Sequence, residues 1–286
     1  MTLTTYPTAA AFLEQNQALL EQEEAVNNLM LGTALVYQKA GKEARPLVLL
    51  SILEGSTPIF CALQTPPRNL IVYGDPLKSA AIADLVSDYV VAQRLGIPGL
   101  LGARTFTESM AQHWGRRQGV NWTVKKRMGV YRLEALQPVR PASGYLRLAK
   151  ERDQEVAIGW TLAFGQEAMG ESNLEQARLN TAVMIRESRL YFWEDNGTPV
   201  SMAAVGRPTE HGIAVYYVYT PPKYRARGYA SNAVARMSAQ MLARGRQFCM
   251  LFTDLNNPTS NKIYREMGYY KIEEFVEITS NTPQLQ

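Results

Sequence analysis

The chain has 286 residues, 46% hydrophobic and 20% charged, which excludes a disordered or collagen-like polymer and gives length enough for two domains. The 30 Lys and Arg against 26 Asp and Glu leave a net charge of +4, with a pI near 9.0. That excess is small and dispersed, so it does not point to nucleic acid, whereas an acidic small molecule fits it. The two cysteines, Cys61 and Cys249, belong to no C-x-x-C pair and read as buried thiols rather than zinc ligands or a disulfide. The first residues show no basic segment followed by an apolar run, and no stretch of about 18 apolar residues occurs, so a cytoplasmic protein without a membrane partner is expected.

Apolar spacing predicts a helix over residues 8–30, with Phe12, Leu19, Leu20, Leu29 and Met30 set among Glu and Gln. Three β-rich runs follow at 46–55, 57–66 and 69–75, separated by Gly, Ser, Pro and Asn in the manner of an antiparallel meander. A helix is predicted over 77–95, ended by Gly96 and Pro98. After it come a strand from Gly99, a helix over 107–118 and an alternating strand over 122–136. The segment QPVRPASG, residues 137–144, is the best linker, and divides the chain into 1–136 and 145–286.

The second part reads as a strand over 145–152, helices over 153–169 and 173–186, and strands over 189–195, 198–207 and 212–220. The turn DNGT joins the first two of those three strands as a hairpin. A helix over 229–244 places Ala230, Val234, Met237 and Met241 on one face, and a strand, a short helix from Pro258 to Glu266 and a final strand complete the chain. The two parts share one order of elements, which reads as a degenerate internal repeat. The fold class is α/β (α+β), with mixed, mostly antiparallel sheets flanked by helices.

The chemistry concentrates in VYYVYTPPKYRARGYASNAVARM, residues 215–237. A β-rich run meets a double proline, then a basic loop, and a helix starts at once. This order aims backbone N–H groups, the positive end of the helix dipole and two arginines at one small volume, an anion cradle. Gly228 lets the backbone approach a bulky diphosphate, and Ala230 keeps the first helical turn low. No Walker A loop, H-E-x-x-H, G-x-S-x-G or Rossmann G-x-G-x-x-G occurs.

Arg225, Ala226, Arg227, Gly228, Tyr229 and Ala230 fit the pattern Q/R-x-x-G-x-G/A, and Asn257, Ser260, Tyr264, Gly268 and Tyr269 fit N-x-x-A-x-x-x-Y-x-x-x-G-F downstream of it. In these two segments, over residues 145–280, the chain resembles the GNAT superfamily of N-acetyltransferases. The resemblance implies an acyl-CoA N-acyltransferase fold, two tandem GNAT-like domains, acetyl-CoA as co-substrate, a small-molecule or peptide primary amine as acceptor, and no metal. It also gives roles to matching positions. Arg225 to Ala230 would hold the diphosphate. Backbone groups near Val218, Tyr219 and Thr220 would bond the pantetheine arm where two neighbouring strands part, and Asn257 would bond it from the other wall. Ser260 would let the cofactor pass. Tyr264 would act as general acid toward the departing thiolate, since a phenol with a pKa of about 10 holds its proton at neutral pH; a Tyr that merely packs one helix face is the plain alternative.

Ala214 stands where some relatives carry a carboxylate, so no general base is supplied there, and Glu210 and His211 read as part of a hairpin turn. Deprotonation then falls to an ordered water, another carboxylate or an amine that arrives neutral. The first part has no counterpart of the basic loop, only Asp75 and Pro76, and is expected to have lost cofactor binding. Trp114 and Trp122 read there as buried core rather than lining for an acceptor pocket. The main alternative function is a non-catalytic acyl-CoA-binding sensor or scaffold.

Overall fold

The computed structural model describes residues 1–41, 47–170 and 172–280. In chain order the elements are β1 (Thr2–Thr5), α1 (Ala9–Glu21), α2 (Asn28–Ala40), β2 (Val48–Glu54), β3 (Thr57–Gln64), β4 (Leu70–Gly74), α3 (Ser79–Ala92), β5 (Gly99–Ala103), α4 (Arg104–Gln118) and β6 (Trp122–Leu133). There follow β7 (Tyr145–Leu148), α5 (Gln154–Met169), α6 (Leu174–Arg186), β8 (Leu190–Asp195), β9 (Thr198–Gly206), β10 (Gly212–Tyr219), α7 (Tyr229–Ala243), β11 (Phe248–Asp254), α8 (Pro258–Glu266) and β12 (Tyr270–Ser280). They cluster as two compact units: unit 1 holds residues 1–130, 253–257 and the chain from Lys271, and unit 2 holds 131–252 and 258–270.

In unit 1 the strands run β1-β2-β3-β4-β5-β12. The first four are mutually antiparallel, and β4 and β5 are parallel. Successive residues of each strand bury on opposite faces, as a sheet covered on both sides requires. Leu49, Cys61 and Leu63 pack against α1 and α2, while Leu50, Ile52, Phe60 and Ala62 pack with residues of α3 and α4. The final strand, which the linker assigns to the second part of the chain, pairs antiparallel with β5 from Phe275↔Ala103 to Thr279↔Gly99, and its residues 271–280 cluster with unit 1.

Two expectations need correction. The stretch 8–30 is two helices, broken at residues 22–27. There Asn27, buried, turns its side-chain amide back to donate to the Leu20 carbonyl at 3.0 Å, satisfying an acceptor that the end of α1 leaves orphaned. The apolar period continues through the break, so spacing alone does not reveal it. Strand β1 was not anticipated, because four residues are too few to show alternation; it pairs with β2, and Tyr6 just beyond it shares a 2.6 Å hydrogen bond with Ser51.

Unit 2 repeats the plan in the order β7-β8-β9-β10-β11, antiparallel from β7 to β10 and parallel between β10 and β11. Leu190, Phe192, Met202 and Ala204 bury on the side of α5 and α6, and Tyr191, Ala203, Val205 and Val215 bury with α7. The β8–β9 hairpin turns at Asn196 (φ 47°) and Gly197 (φ 73°), the left-handed pair that a two-residue turn with native strand twist needs. After β6 the segment 137–144 is fixed to unit 2 at both ends. Gln137 N–H donates to the Met267 carbonyl at 2.9 Å, and the Trp193 indole N–H donates to the Ser143 carbonyl at 2.8 Å.

Candidate functional site

The parallel pair β10–β11 is in register only from Gly212↔Phe248 to Ala214↔Met250. Beyond Ala214 the ladder stops, although β10 continues for five residues to Tyr219. On its other edge β10 stays paired with β9, but the register shifts between Tyr216 and Tyr219, and Tyr217 takes φ 51°. A non-glycine residue at positive φ in a strand marks a bulge, which turns a strand away from its neighbour. The fork between β10 and β11 thus opens where the bulge begins. Tyr217 is held in that conformation by its ring against Phe164, 5.3 Å between centroids, and by its hydroxyl, which accepts from Asn180 at 3.0 Å.

At the open end of the fork the chain leaves β10 through Pro221 and a short 3-10 turn, Pro222–Tyr224. Ala226 (φ 61°) and Gly228 (φ 78°) are both left-handed and flank Arg227. Alternation of this kind gathers successive backbone N–H groups into a concave, anion-attracting nest. Gly228 is the N-cap of α7 and offers no side chain to cap it, so the first N–H groups of the helix have no intrahelical acceptor and face the loop. A Cβ at Gly228 would meet only Asn232 Nδ2 at 3.5 Å and the Ala142 Cβ at 3.6 Å, so glycine is required there by its φ rather than by lack of room.

The side chains of this loop do different work. Arg225 donates from Nε to the Thr220 carbonyl at 2.8 Å, and its terminal nitrogen meets the Glu167 carboxylate at 2.7 and 2.9 Å. Its charge is therefore paired within the protein, whereas Arg227, also exposed, has no ion pair among the described residues. Tyr229 is buried beside Trp193 and Ala233 and donates its hydroxyl to Asp195 at 2.7 Å, so only its main chain faces the loop. Ala230 is half-buried in the first turn of α7. Upstream, the Tyr219 carbonyl accepts from Ser201 Oγ at 3.1 Å, and the Thr220 hydroxyl shares 2.8 Å with the same Ser201. The carbonyls of Tyr219 and Thr220 thus hold one partner each and keep a second lone pair; Val218 is half-buried beside the core of unit 2.

Tyr264 lies on α8, half-buried, its ring edge-on to Tyr269 with centroids 5.8 Å apart. Burial disfavours the phenolate and pushes its pKa up to about 12. Ser260 sits one turn earlier on the same helix, and Asn257 in the turn before it, where its N–H donates to the Asp254 carbonyl at 3.0 Å. By clustering, residues 253–257 belong to unit 1 and residues 258–270 to unit 2. Ala214 is fully buried at the last paired position of the fork. Glu210 and His211 precede the paired end of β10, and the His211 carbonyl accepts from Gln247 N at 2.8 Å. The whole paired stretch separates them from the opening.

Sequence reasoning missed Glu167, Ser201 and Asn232. Glu167 lies 58 residues before Arg225, and nothing in local pattern connects them. Asn232 did carry a signal: it stands four residues after Gly228, one helical turn on, and its amide donates to the Gly228 carbonyl at 2.9 Å.

Residues 144–269 match the family model described as Acetyltransferase (GNAT) family. Solved structures share the fold over nearly the whole chain. A Drosophila protein is 14% identical, with a TM-score of 0.70 and coverage of 99% of each chain. A GCN5-related N-acetyltransferase from Sphaerobacter thermophilus is 14% identical, with a TM-score of 0.65, covering 99% of this chain and 97% of the other. A tandem GNAT protein from the clavulanic acid biosynthesis pathway is 11% identical, with a TM-score of 0.58 and 99% of each chain covered. No curated protein matches the chain. No helix among the described residues is long and apolar enough to cross a membrane. The family match over residues 144–269 supports an acyltransferase. Residues 144–269 are thus matched as a domain of the GNAT acetyltransferase family.

Proposed function

We propose that unit 2 binds acetyl-CoA in the fork between β10 and β11 and transfers the acetyl group to a primary amine. The observation that carries this reading is the parting of the two strands beyond Ala214, with a nest at Ala226 and Gly228 and the bare start of α7 at its mouth. A diphosphate is the group such a mouth suits, because it takes many N–H donors at once and needs no protein cation for each charge. An extended arm carrying amides suits the fork, since it replaces ladder hydrogen bonds that β10 and β11 do not make with each other. Acetyl-CoA supplies an acyl group on a sulfur that leaves readily.

In the transfer the amine nitrogen bonds the acyl carbon, the C–S bond breaks with its electron pair going to sulfur, and the proton lost from nitrogen passes through solvent water to the released thiolate. Tyr264 is proposed to donate its O–H to the departing sulfur. With a pKa of about 12 the phenol stays protonated at neutral pH, yet it is a weaker acid than a thiol of about 8.5. Its main contribution is then a hydrogen bond that strengthens as charge develops on sulfur, rather than complete proton release. Ala214 offers no base, so the acceptor reacts in its neutral form. The half-buried aromatic side chains of Trp160, Phe164 and Tyr217, beside the bulge, are proposed to shape the acceptor's side of the fork.

The test is Gly228→Glu, which adds a carboxylate and bulk at the mouth and strains the backbone. The expected result is complete loss of retention on an immobilised coenzyme A column, with the thermal melt within a few degrees of wild type. Undiminished retention overturns the reading. A second reading, a sensor that binds acyl-CoA without turnover, is favoured by Ala214 alone. Thiol release measured against a panel of amines separates the two, because a sensor releases none above background.

A further inference from the structure

The charge around the loop is less generous than the sequence suggests. Arg225 is paired with Glu167, and Lys223 stands over the ring of Tyr224 at 4.7 Å, leaving Arg227 as the loop arginine with no ion pair among the described residues. The backbone of another arginine, Arg140, comes to the same place from a distant part of the sequence. The amide of Asn232 donates to two carbonyls, that of Gly228 at 2.9 Å and that of Arg140 at 3.0 Å. One side-chain amide, itself buried, thus ties residue 140 to the residue that caps α7. Two positions further along, the Ala142 Cβ lies 3.6 Å from where a Cβ on Gly228 would be.

The strap that carries Arg140 is stiff. Pro138 and Pro141 bracket it, and a residue that precedes proline is driven by sterics to an extended backbone, which applies to Arg140. Its ends are fixed by the Gln137–Met267 and Trp193–Ser143 hydrogen bonds. The Arg140 side chain is exposed and forms no ion pair with any described residue. A cation with nothing to neutralise it, on a rigid support stapled to the first turn of α7, is prepared for an anion beyond the reach of the nest.

We propose that Arg140 binds the 3′-phosphate of the coenzyme A nucleotide and so distinguishes it from its 3′-dephospho form. The proposal rests on the reading of unit 2 as an acetyl-CoA site. Guanidinium matches a phosphate by paired N–H donors, and the strap already fixes the arginine's backbone, so less freedom is lost on binding. The role is in binding; no bond is made or broken.

Calorimetric affinities for acetyl-CoA and acetyl-3′-dephospho-CoA are to be measured on wild type, Arg140→Ala and Arg140→Lys. In Arg140→Ala, affinity for acetyl-CoA is expected to fall about tenfold while affinity for the dephospho form is unchanged; Arg140→Lys is expected to recover part of the loss. Equal losses for both ligands, or a loss for neither, overturn the role of Arg140 and leave the reading of unit 2 standing. If the wild-type chain binds neither ligand, that reading falls and Arg140 falls with it.

Discussion

Each unit contains a parallel pair of strands joined through a helix, and the two pairs begin alike. β4 and β5 are in register over three residues, Leu70↔Leu100 to Val72↔Gly102, just as β10 and β11 are over Gly212 to Ala214. Beyond that point they diverge. In unit 1 only Tyr73 and Gly74 remain of β4, and the rings of Phe60 and Phe106 lie 2.9 and 3.0 Å from where a Cβ on Gly74 would be. Phe106 is 2% exposed, so the opening is filled by the protein's own aromatic core. Where unit 2 has a nest with bare N–H groups, unit 1 has Asp75, whose carboxylate accepts from Leu77 N at 2.9 Å. Topology makes the fork in both; in unit 1 a phenyl ring packs at its mouth, and in unit 2 the mouth carries a left-handed loop instead.

The sharpest way to break this comparison is at the mouths themselves. Gly228→Glu is expected to remove coenzyme A retention altogether, whereas Asp75→Asn, its mild counterpart in unit 1, is expected to leave retention unchanged on the same column. If Asp75→Asn alters retention, the two mouths are not as different as described. Next in size is Phe106→Ala, which removes a buried ring from the core of unit 1. It is expected to destabilise the chain by about 3–5 kcal/mol in denaturant melts, a cavity effect. A loss under about 1 kcal/mol would mean the ring does not fill the fork.

Tyr264→Phe is expected to slow turnover about 10- to 100-fold with acetyl-CoA affinity retained, since only a hydrogen bond to the leaving sulfur is lost. Unchanged turnover removes Tyr264 from the reaction. Its titration gives a fourth expectation with a definite sign. An acid must be protonated to donate, and a pKa raised to about 12 keeps it so well above neutrality, so the rate should not decline as pH rises from about 7 to 10. It should instead rise over that range as the acceptor amine deprotonates, because Ala214 provides no base to do so. A maximum near neutral pH would reveal a protein base that the fork does not contain. The smallest effect is expected for Glu167→Gln, which releases Arg225. Both side chains are about half exposed, and such pairs contribute at most about 1 kcal/mol, so acetyl-CoA affinity should change less than about fivefold in calorimetry.

What could be read in advance followed from distance along the chain. The strand, basic loop and helix of residues 215–237 are local, and each piece announces itself: alternation, double proline, glycine at a left-handed position, helical spacing. The bulge at Tyr217 leaves no such mark, because its positive φ is imposed by Phe164 and Asn180 packing from α5 and α6. Nor does the pairing of Arg225 with Glu167, which turns one of the two apparent anion-binding arginines into an internal partner. The linker 137–144 was legible as a Pro- and Gly-rich joint, but composition says nothing of the hydrogen bonds that lay it beside Gly228.

By itself, the sequence determined the repeated order of elements and the loop with a left-handed glycine before a helix, since backbone sterics and side-chain periodicity act between near neighbours. Only the tertiary structure decided that β12 pairs with β5, that one fork is open and the other filled, and that Arg140 comes to stand beside Gly228. Those outcomes depend on which distant side chains fill a given volume or satisfy a given buried polar group, and such a choice is made when the chain packs.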